Sequence, residues 1–348
     1  MNRILSFAVA CMIAAGLSSC GMHSLRIQVV KPAEITIPQH IQKVAIANRS
    51  FPSKKQKVEN ILEGIITGEG IGMDREGSEE CVAGLVEILR DYPRYTAVNA
   101  GVELEGTGRE AFPPVLDWEE VKRLCQANGA DGLLLLEVFD SDASVDISLQ
   151  DEKYKDKEGV EHVRTVTVAN TDVKVTTGWR FYDASSMQIV DEFKAIGTKS
   201  WSAKGIDEKD ARHRLPSRRE TVKSCGYIAG NIYAARISPV NLWVTRSYYV
   251  RKHPGLKAGA TYANAQNWDA AATEWKKVLI DGDNKQKGRA AYNLAVASEV
   301  KGNLENALSW AQKAAGEYGN GNANAYISIL KQRMYDQQRL KEQTGGNQ

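Results

Sequence analysis

Residues 256–316 repeat themselves, and that self-similarity constrains the chain more than any other feature. Adding 36 to Gln266, Trp268, Ala271, Trp275, Val278 and Leu279 lands on Gly302, Leu304, Ala307, Ala311, Ala314 and Ala315. The spacing of small and apolar positions survives the shift, so each copy reads as an antiparallel pair of helices. Gly259 and Tyr262 sit on a first helix, a tight break follows at Gln266-Asn267 or Gly302-Asn303, and small and aromatic residues return at helical spacing on a second. Ala271 and Ala307 let helices approach closely, while Trp268, Trp275, Leu279 and Leu304 fill the space around the contact. One hairpin cannot bury such a face alone, so the copies must stack and be closed by a further helix. Residues 322–341, with Ala325, Ile327, Ile329, Leu330 and Met334, supply that cap.

This pattern resembles the tetratricopeptide repeat, with Gly259, Tyr262, Trp268, Ala271, Trp275, Leu304, Ala307 and Ala311 at its packing positions. The usual period is about 34, and a loop over Asp281-Gly282-Asp283-Asn284-Lys285 is expected to absorb the excess. The resemblance implies a groove lined by the first helix of each pair, with Asn264, Arg289, Tyr292, Val296 and Glu299 on or near it. Such a mixture of aromatic, charged and amide groups suits a protein or peptide partner, although Tyr292 would serve equally well as core packing.

The amino terminus carries an address. Asn2-Arg3 and the apolar run Ile4–Leu17 are too short for a comfortable membrane span and end in Leu17-Ser18-Ser19-Cys20. That tetrapeptide resembles the bacterial lipobox, which implies cleavage after residue 19 and acylation of Cys20, tethering the mature chain to a membrane. Gly21-Met22-His23-Ser24 lacks the Asp that resembles an inner-membrane retention signal and any acidic cluster resembling a surface-export signal. The expected location is therefore the outer membrane, facing the periplasm. Residues 1–19 are assigned to the signal peptide, 20–41 to an extended tether, 42–250 to an α/β domain, 256–342 to the repeats and 343–348 to a disordered tail.

Between tether and repeats, hydrophobic periods alternate. Short buried strands are expected at residues 43–48, 95–98 and 132–139, and helices at 57–66, 78–89 and from Asp117, where Glu120 is placed to complete a capping box. Residues 163–193 alternate apolar with polar as an antiparallel meander, and residues 151–161 form its charged tip. A helix over 218–236 and a strand over 241–250 follow. The fold class is a mixed-sheet α/β sandwich with helices on one face, followed by an all-α helical-hairpin array. Cys81, Cys125 and Cys225 leave an odd thiol in an oxidising compartment; buried free thiols and a Cys81–Cys125 bridge both remain open.

The residues point away from several chemistries. With 45 basic and 43 acidic residues the chain lacks the concentrated cationic face that nucleic acid requires, and the Lys54-Lys55-Gln56-Lys57 cluster reads as a solvated loop. The Gly64–Gly72 segment has Glu69 where a phosphate loop needs a cation, and reads as a tight loop between helices. The five histidines show no metal-ligand spacing, so neither metal nor cofactor is expected. Lys43–Ser50, Thr67–Gly70, Asp74–Gly77, Gly178–Asp183, Tyr248–Arg251 and Ala291–Ala295 are similar to segments of an uncharacterised family of Bacteroidetes lipoproteins with carboxy-terminal tetratricopeptide repeats. That resemblance implies the same architecture and brings no activity. The expectation is a lipid-anchored adaptor for another envelope protein rather than an enzyme; an envelope enzyme acting on glycan or peptide through the α/β domain and a purely structural lipoprotein are the alternatives.

Overall fold

The computed structural model describes residues 21–52, 68–92, 94–107 and 111–345. The export segment with Cys20, the Lys54 cluster and the helix expected over 57–66 lie outside the described residues. In chain order the elements are β1 (Met22–Lys31), β2 (Lys43–Pro52), α1 (Gly68–Asp91), β3 (Thr96–Gly106), α2 (Trp118–Asn128), β4 (Gly132–Lys155), β5 (Glu161–Asp183), β6 (Gln188–Gly205), α3 (Glu208–His213), α4 (Arg218–Ile237) and β7 (Val240–Tyr249). They continue with α5 (Pro254–Asn264), α6 (Trp268–Asp281), α7 (Asn284–Val300), α8 (Leu304–Gly316) and α9 (Asn322–Thr344). Packing divides the chain into an α/β unit, Val30–Asn241 with residues from Arg339 onward, and a helical unit comprising residues up to Val29 and Leu242–Gln338.

The α/β unit is built on a five-stranded mixed sheet in the order β3-β2-β4-β5-β6. β3 and β4 run parallel to β2, and β5 and β6 continue antiparallel. The four leucines 133–136 explain its layering, because successive strand side chains point to opposite faces. Leu134 and Leu136 pack with Cys81, Leu85, Val222 and Ala229, from α1 and α4, whereas Leu133 and Leu135 pack with Val121, Leu124 and Cys125 of α2. Helices therefore cover both faces rather than one. Cys81 and Cys125 lie in cores on opposite sides of the sheet, so the bridge considered above does not form; all three described cysteines are buried free thiols.

Helix α1 starts at Gly68, well before the expected Ser78, and absorbs glycines assigned to a loop. Its packing against α4 is glycine-mediated: a Cβ on Gly226 would lie 2.3 Å from the Gly77 carbonyl oxygen, and one on Gly230 1.9 Å from that of Cys81. The Asp117 carboxylate caps α2 by accepting the Glu119 N–H, and Gly129 ends the helix at φ 57°. Glu120 does not complete a capping box; its carboxylate takes a fork of Arg123 hydrogen bonds at 2.6 and 2.7 Å. Capping boxes form instead on α4, between Ser217 and Glu220, and on α7, between Asp283 and Gln286. β4 and β5 stay paired out to Lys155 and Glu161, so the expected tip shrinks to the turn around Asp156, whose carboxylate accepts the Glu158 and Val160 N–H groups.

In the helical unit, the two hairpins break where the repeat places them, with Gln266 at φ 59° and Gly302 at φ 79°, and Asn267 and Asn303 cap the second helices. No loop spans residues 281–285: Asp283 caps α7, which starts at Asn284. Part of the segment expected as a tether is strand β1, which pairs with β7. Gly21 accepts the Val250 N–H at 3.0 Å and the Ser24 hydroxyl meets that of Ser247, so the two strands run in opposite directions. The expected tail is also partly ordered. α9 runs to Thr344, and in the α/β unit the buried Gln343 amide bonds both the N–H and the carbonyl of Ala33 at 3.0 Å.

Candidate partner-binding site

The inner side of α5 and α7 was the expected groove, and strand β7 of the same chain occupies it. The Tyr248 ring stands 6.1 Å from Trp268 and 5.9 Å from Trp275, and its hydroxyl donates to Asn264 Oδ1 at 2.6 Å. One residue on, the Asn293 amide treats Tyr249 as a neighbouring strand would, accepting its N–H and donating to its carbonyl, both at 2.7 Å. Arg246 reaches Glu299 with a two-pronged contact at 2.8 and 2.9 Å, and α9 contributes Arg333, at 2.7 Å, and the Tyr326 hydroxyl to the same carboxylate.

Three of the five groove candidates are thereby removed from solvent. Val296 is fully buried, Tyr292 packs edge-on against Tyr249 at 5.5 Å, and the Glu299 side chain has no exposed surface. Asn264 is exposed but engaged by Tyr248, and Arg289 lies half-buried over the Tyr249 ring. Among the packing positions, Gly259 faces the Trp275 indole so closely that a Cβ would lie 2.2 Å from its nitrogen, and Trp268, Ala271, Trp275, Leu304, Ala307 and Ala311 are buried. Tyr262 is 43% exposed and takes no part in the core.

Burial alone would raise the Glu299 carboxyl's affinity for a proton; the Arg246 hydrogen bonds, the Tyr326 hydroxyl and Arg333 outweigh it, and the group is held below the usual glutamate range. Arg246, Asn293, Tyr326 and Arg333 escaped the sequence reading. A signal for them existed: residues 290–299 of α7 are apolar on every side apart from Asn293, Ser298 and Glu299. A helix apolar all round is covered all round, and its polar groups then need partners from whatever covers it.

The α/β unit holds two further polar clusters. Glu137, fully buried on β4, takes Arg49 at 3.0 Å, Arg180 at 2.6 Å and the Tyr182 hydroxyl at 2.9 Å. The same guanidiniums also bond the Pro113 and Pro114 carbonyls, so the cluster pins that loop to the sheet. His40, Asp183 and Ser185 converge as well, but the carboxylate and the hydroxyl both meet the same ring nitrogen, Nε2, at 3.0 and 3.1 Å. A nucleophilic triad needs them on opposite nitrogens. Asp183 is instead bonded by the Ser185 and Ser186 hydroxyls, closing the β5–β6 turn. Among the described residues no group of His, Cys, Asp and Glu could hold a metal ion.

Asp74 on α1 gives a testable pH effect. Burial, against the opposing Ser141 hydrogen bond and reinforced by Asp140, pushes its carboxyl up to about 6 from 3.8. The folded chain then binds more protons than the unfolded one between those values, so stability falls as pH rises through that window and stays lower above it. Asp74→Asn keeps an acceptor for Ser141 and removes the charge. It should raise stability at pH 8 by roughly 2 kcal/mol and leave it nearly unchanged at pH 4, read from urea midpoints at the two values.

These features define a class: a mixed α/β unit joined to a helical-hairpin unit whose inner face is closed by its own strand. The chain belongs to the family described as domain of unknown function DUF8603, whose model matches residues 41–249, more than half of the sequence; a second domain of unknown function, DUF6340, matches residues 257–332. No curated protein matches it. Among solved structures, a neuraminyllactose-binding hemagglutinin homolog from Helicobacter pylori aligns at 11% identity over 58% of this chain and 86% of its own, with a TM-score of 0.23. A PelC dodecamer from Paraburkholderia phytofirmans aligns at 12% identity over 62% of this chain and 99% of its own, with the same TM-score.

Proposed function

We propose that the protein is a lipid-anchored envelope scaffold, held on the periplasmic side of the outer membrane through Cys20, that holds a protein partner along the free edge of β4 rather than in a helical groove. The anchor rests on the lipobox-like residues 17–20, and no described helix is long and apolar enough to cross a membrane. What carries the partner assignment is the length of β4. It runs for 24 residues, yet β2 pairs with it only from Gly132 to Leu136. Among the described residues no strand pairs with that edge between Ala143 and Lys155, leaving backbone donors and acceptors there available to an added strand. Val145, Leu149 and Val163, exposed by 42, 74 and 61%, share one face of this ribbon and offer apolar contacts beside the edge.

The test is a photoreactive residue placed at Leu149 and, separately, at Tyr292, in cells carrying the intact protein. Adducts are expected from position 149 and not from 292. Adducts from 292 alone would return the partner to the helical face and overturn the proposal.

A further inference from the structure

Two cations in the helical unit form no salt bridge among the described residues. Lys285 and Arg289 sit one turn apart on α7, where like charges repel, and in its first turns, where the helix dipole disfavours positive charge. No salt bridge reaches either of them among the described residues, and the Asp283 carboxylate is already engaged in capping the helix through the Gln286 N–H. Both line a cavity of about 460 Å³ whose wall contains no carboxylate. Its other polar side chains are Tyr249, Tyr318, Asn284, Asn320 and Asn322, and each asparagine amide spends one of its two N–H groups within the fold, on the Tyr318 carbonyl, the Gly288 carbonyl and the Tyr249 hydroxyl in turn. Tyr249 forms one wall, with the Arg289 guanidinium 5.3 Å above its ring and its hydroxyl bonded by the Asn322 amide at 2.8 Å. A fold that leaves two like charges together at this end of a helix, in an acid-free cavity fringed by amides, is arranged for an anion.

We propose that this cavity binds a phosphate group, with Lys285 and Arg289 supplying the charge and the asparagine amides supplying neutral hydrogen bonds. The structure also suggests where the phosphate comes from. The Met22 sulfur lies 4.0 Å from the Asn322 amide nitrogen at the cavity rim, and Met22 is two residues from Cys20, a span of at most roughly 7 Å. If Cys20 carries lipid, as the proposed function holds, the headgroup layer is within reach of the cavity, and an anionic phospholipid headgroup is the expected occupant. The binding site itself does not depend on that anchor; only the source of the phosphate does.

The test uses the mature full-length chain without its lipid, and the charge-neutralised pair Lys285→Gln with Arg289→Gln. Binding is measured to phosphatidylglycerol-containing vesicles, to phosphatidylcholine vesicles and to inorganic phosphate, with far-UV circular dichroism and melting confirming that the variant folds. Affinity for the anionic vesicles is expected to exceed that for the neutral ones and to fall roughly thirtyfold in the variant. Binding of inorganic phosphate alone, lost in the variant, upholds the site and assigns it a soluble phosphate. Equal binding by variant and parent, or no binding to either phosphate source, overturns the proposal. Absence of acyl chains on Cys20 in cells would sink the anchor while leaving the phosphate arm to stand or fall separately. Should the double variant not fold, Arg289→Lys, which keeps the charge and loses the planar fork, is expected to retain vesicle binding that Arg289→Gln loses.

Discussion

Glu299→Ala is expected to cost the helical unit about 3–5 kcal/mol, because it leaves Arg246 and Arg333 together without the carboxylate that the Tyr326 hydroxyl also bonds. Truncating one member of a buried ionic cluster is far more damaging than removing a surface pair, since the remaining charges stay desolvated. The effect should be local in origin. Arg246 is on β7, so the strand should lift from the helices, and hydrogen exchange at the Tyr249 N–H, now protected by Asn293, should accelerate along with the loss of stability. The pH dependence has a definite sign. A carboxyl held below its ordinary range contributes fully above that range and progressively less as acid protonates it. The parent should therefore lose stability below about pH 4 more steeply than the variant. A loss under about 1 kcal/mol, typical of exposed ion pairs, would mean that β7 is held by its aromatic contacts and its hydrogen bonds to Asn264 and Asn293 instead.

The second large effect is expected from Gly230→Ala. The added methyl carbon would sit 1.9 Å from the Cys81 carbonyl oxygen and 3.0 Å from the Leu85 nitrogen. Both are backbone atoms of α1, which no rotamer change can move aside. Alanine is the better helix former by about 1 kcal/mol, yet α1 and α4 would have to separate, and a net loss of about 3 kcal/mol is expected from urea unfolding. Gly72→Ala supplies the control. It lies in the same helical pair, with nothing within 4 Å of the added carbon, and should be neutral or stabilising by up to about 1 kcal/mol. If both substitutions behaved alike, helix propensity rather than close approach would govern this pair.

Much of the architecture was legible because it is periodic. The 36-residue shift located both hairpins and their breaks at Gln266-Asn267 and Gly302-Asn303, while the left-handed backbone of Gln266 and Gly302 and the capping by Asn267 and Asn303 come from the structure. Alternation identified the meander, and Asp117 marked the start of α2. What periodicity reports is which side of an element is apolar. It does not say what covers that side. Tyr292, Val296 and Glu299 are expected on or near a groove, whereas the structure buries all three, Tyr292 against Tyr249 and Glu299 on Arg246 of β7. Nothing in the period of α7 encodes that strand. The same limit misplaced the thiols: Cys81 and Cys125 are on apolar helix faces, and only the opposite directions of Leu134 and Leu133 show that those faces belong to different sides of the sheet. Glycine was ambiguous too, since residues that favour loops also allow the close crossing of α1 and α4.

The pairing of β1 with β7 bears on how such a chain matures. Ser24 and Ser247 are 223 positions apart, and the ribosome makes the amino terminus first. The first strand thus emerges with no mate, and must wait while the bulk of the sequence is synthesised. Closing so long a loop is entropically unfavourable, and contacts distant along the chain form late. Until they do, β1 presents unpaired backbone donors and acceptors, which exposes the half-made protein to pairing with other chains.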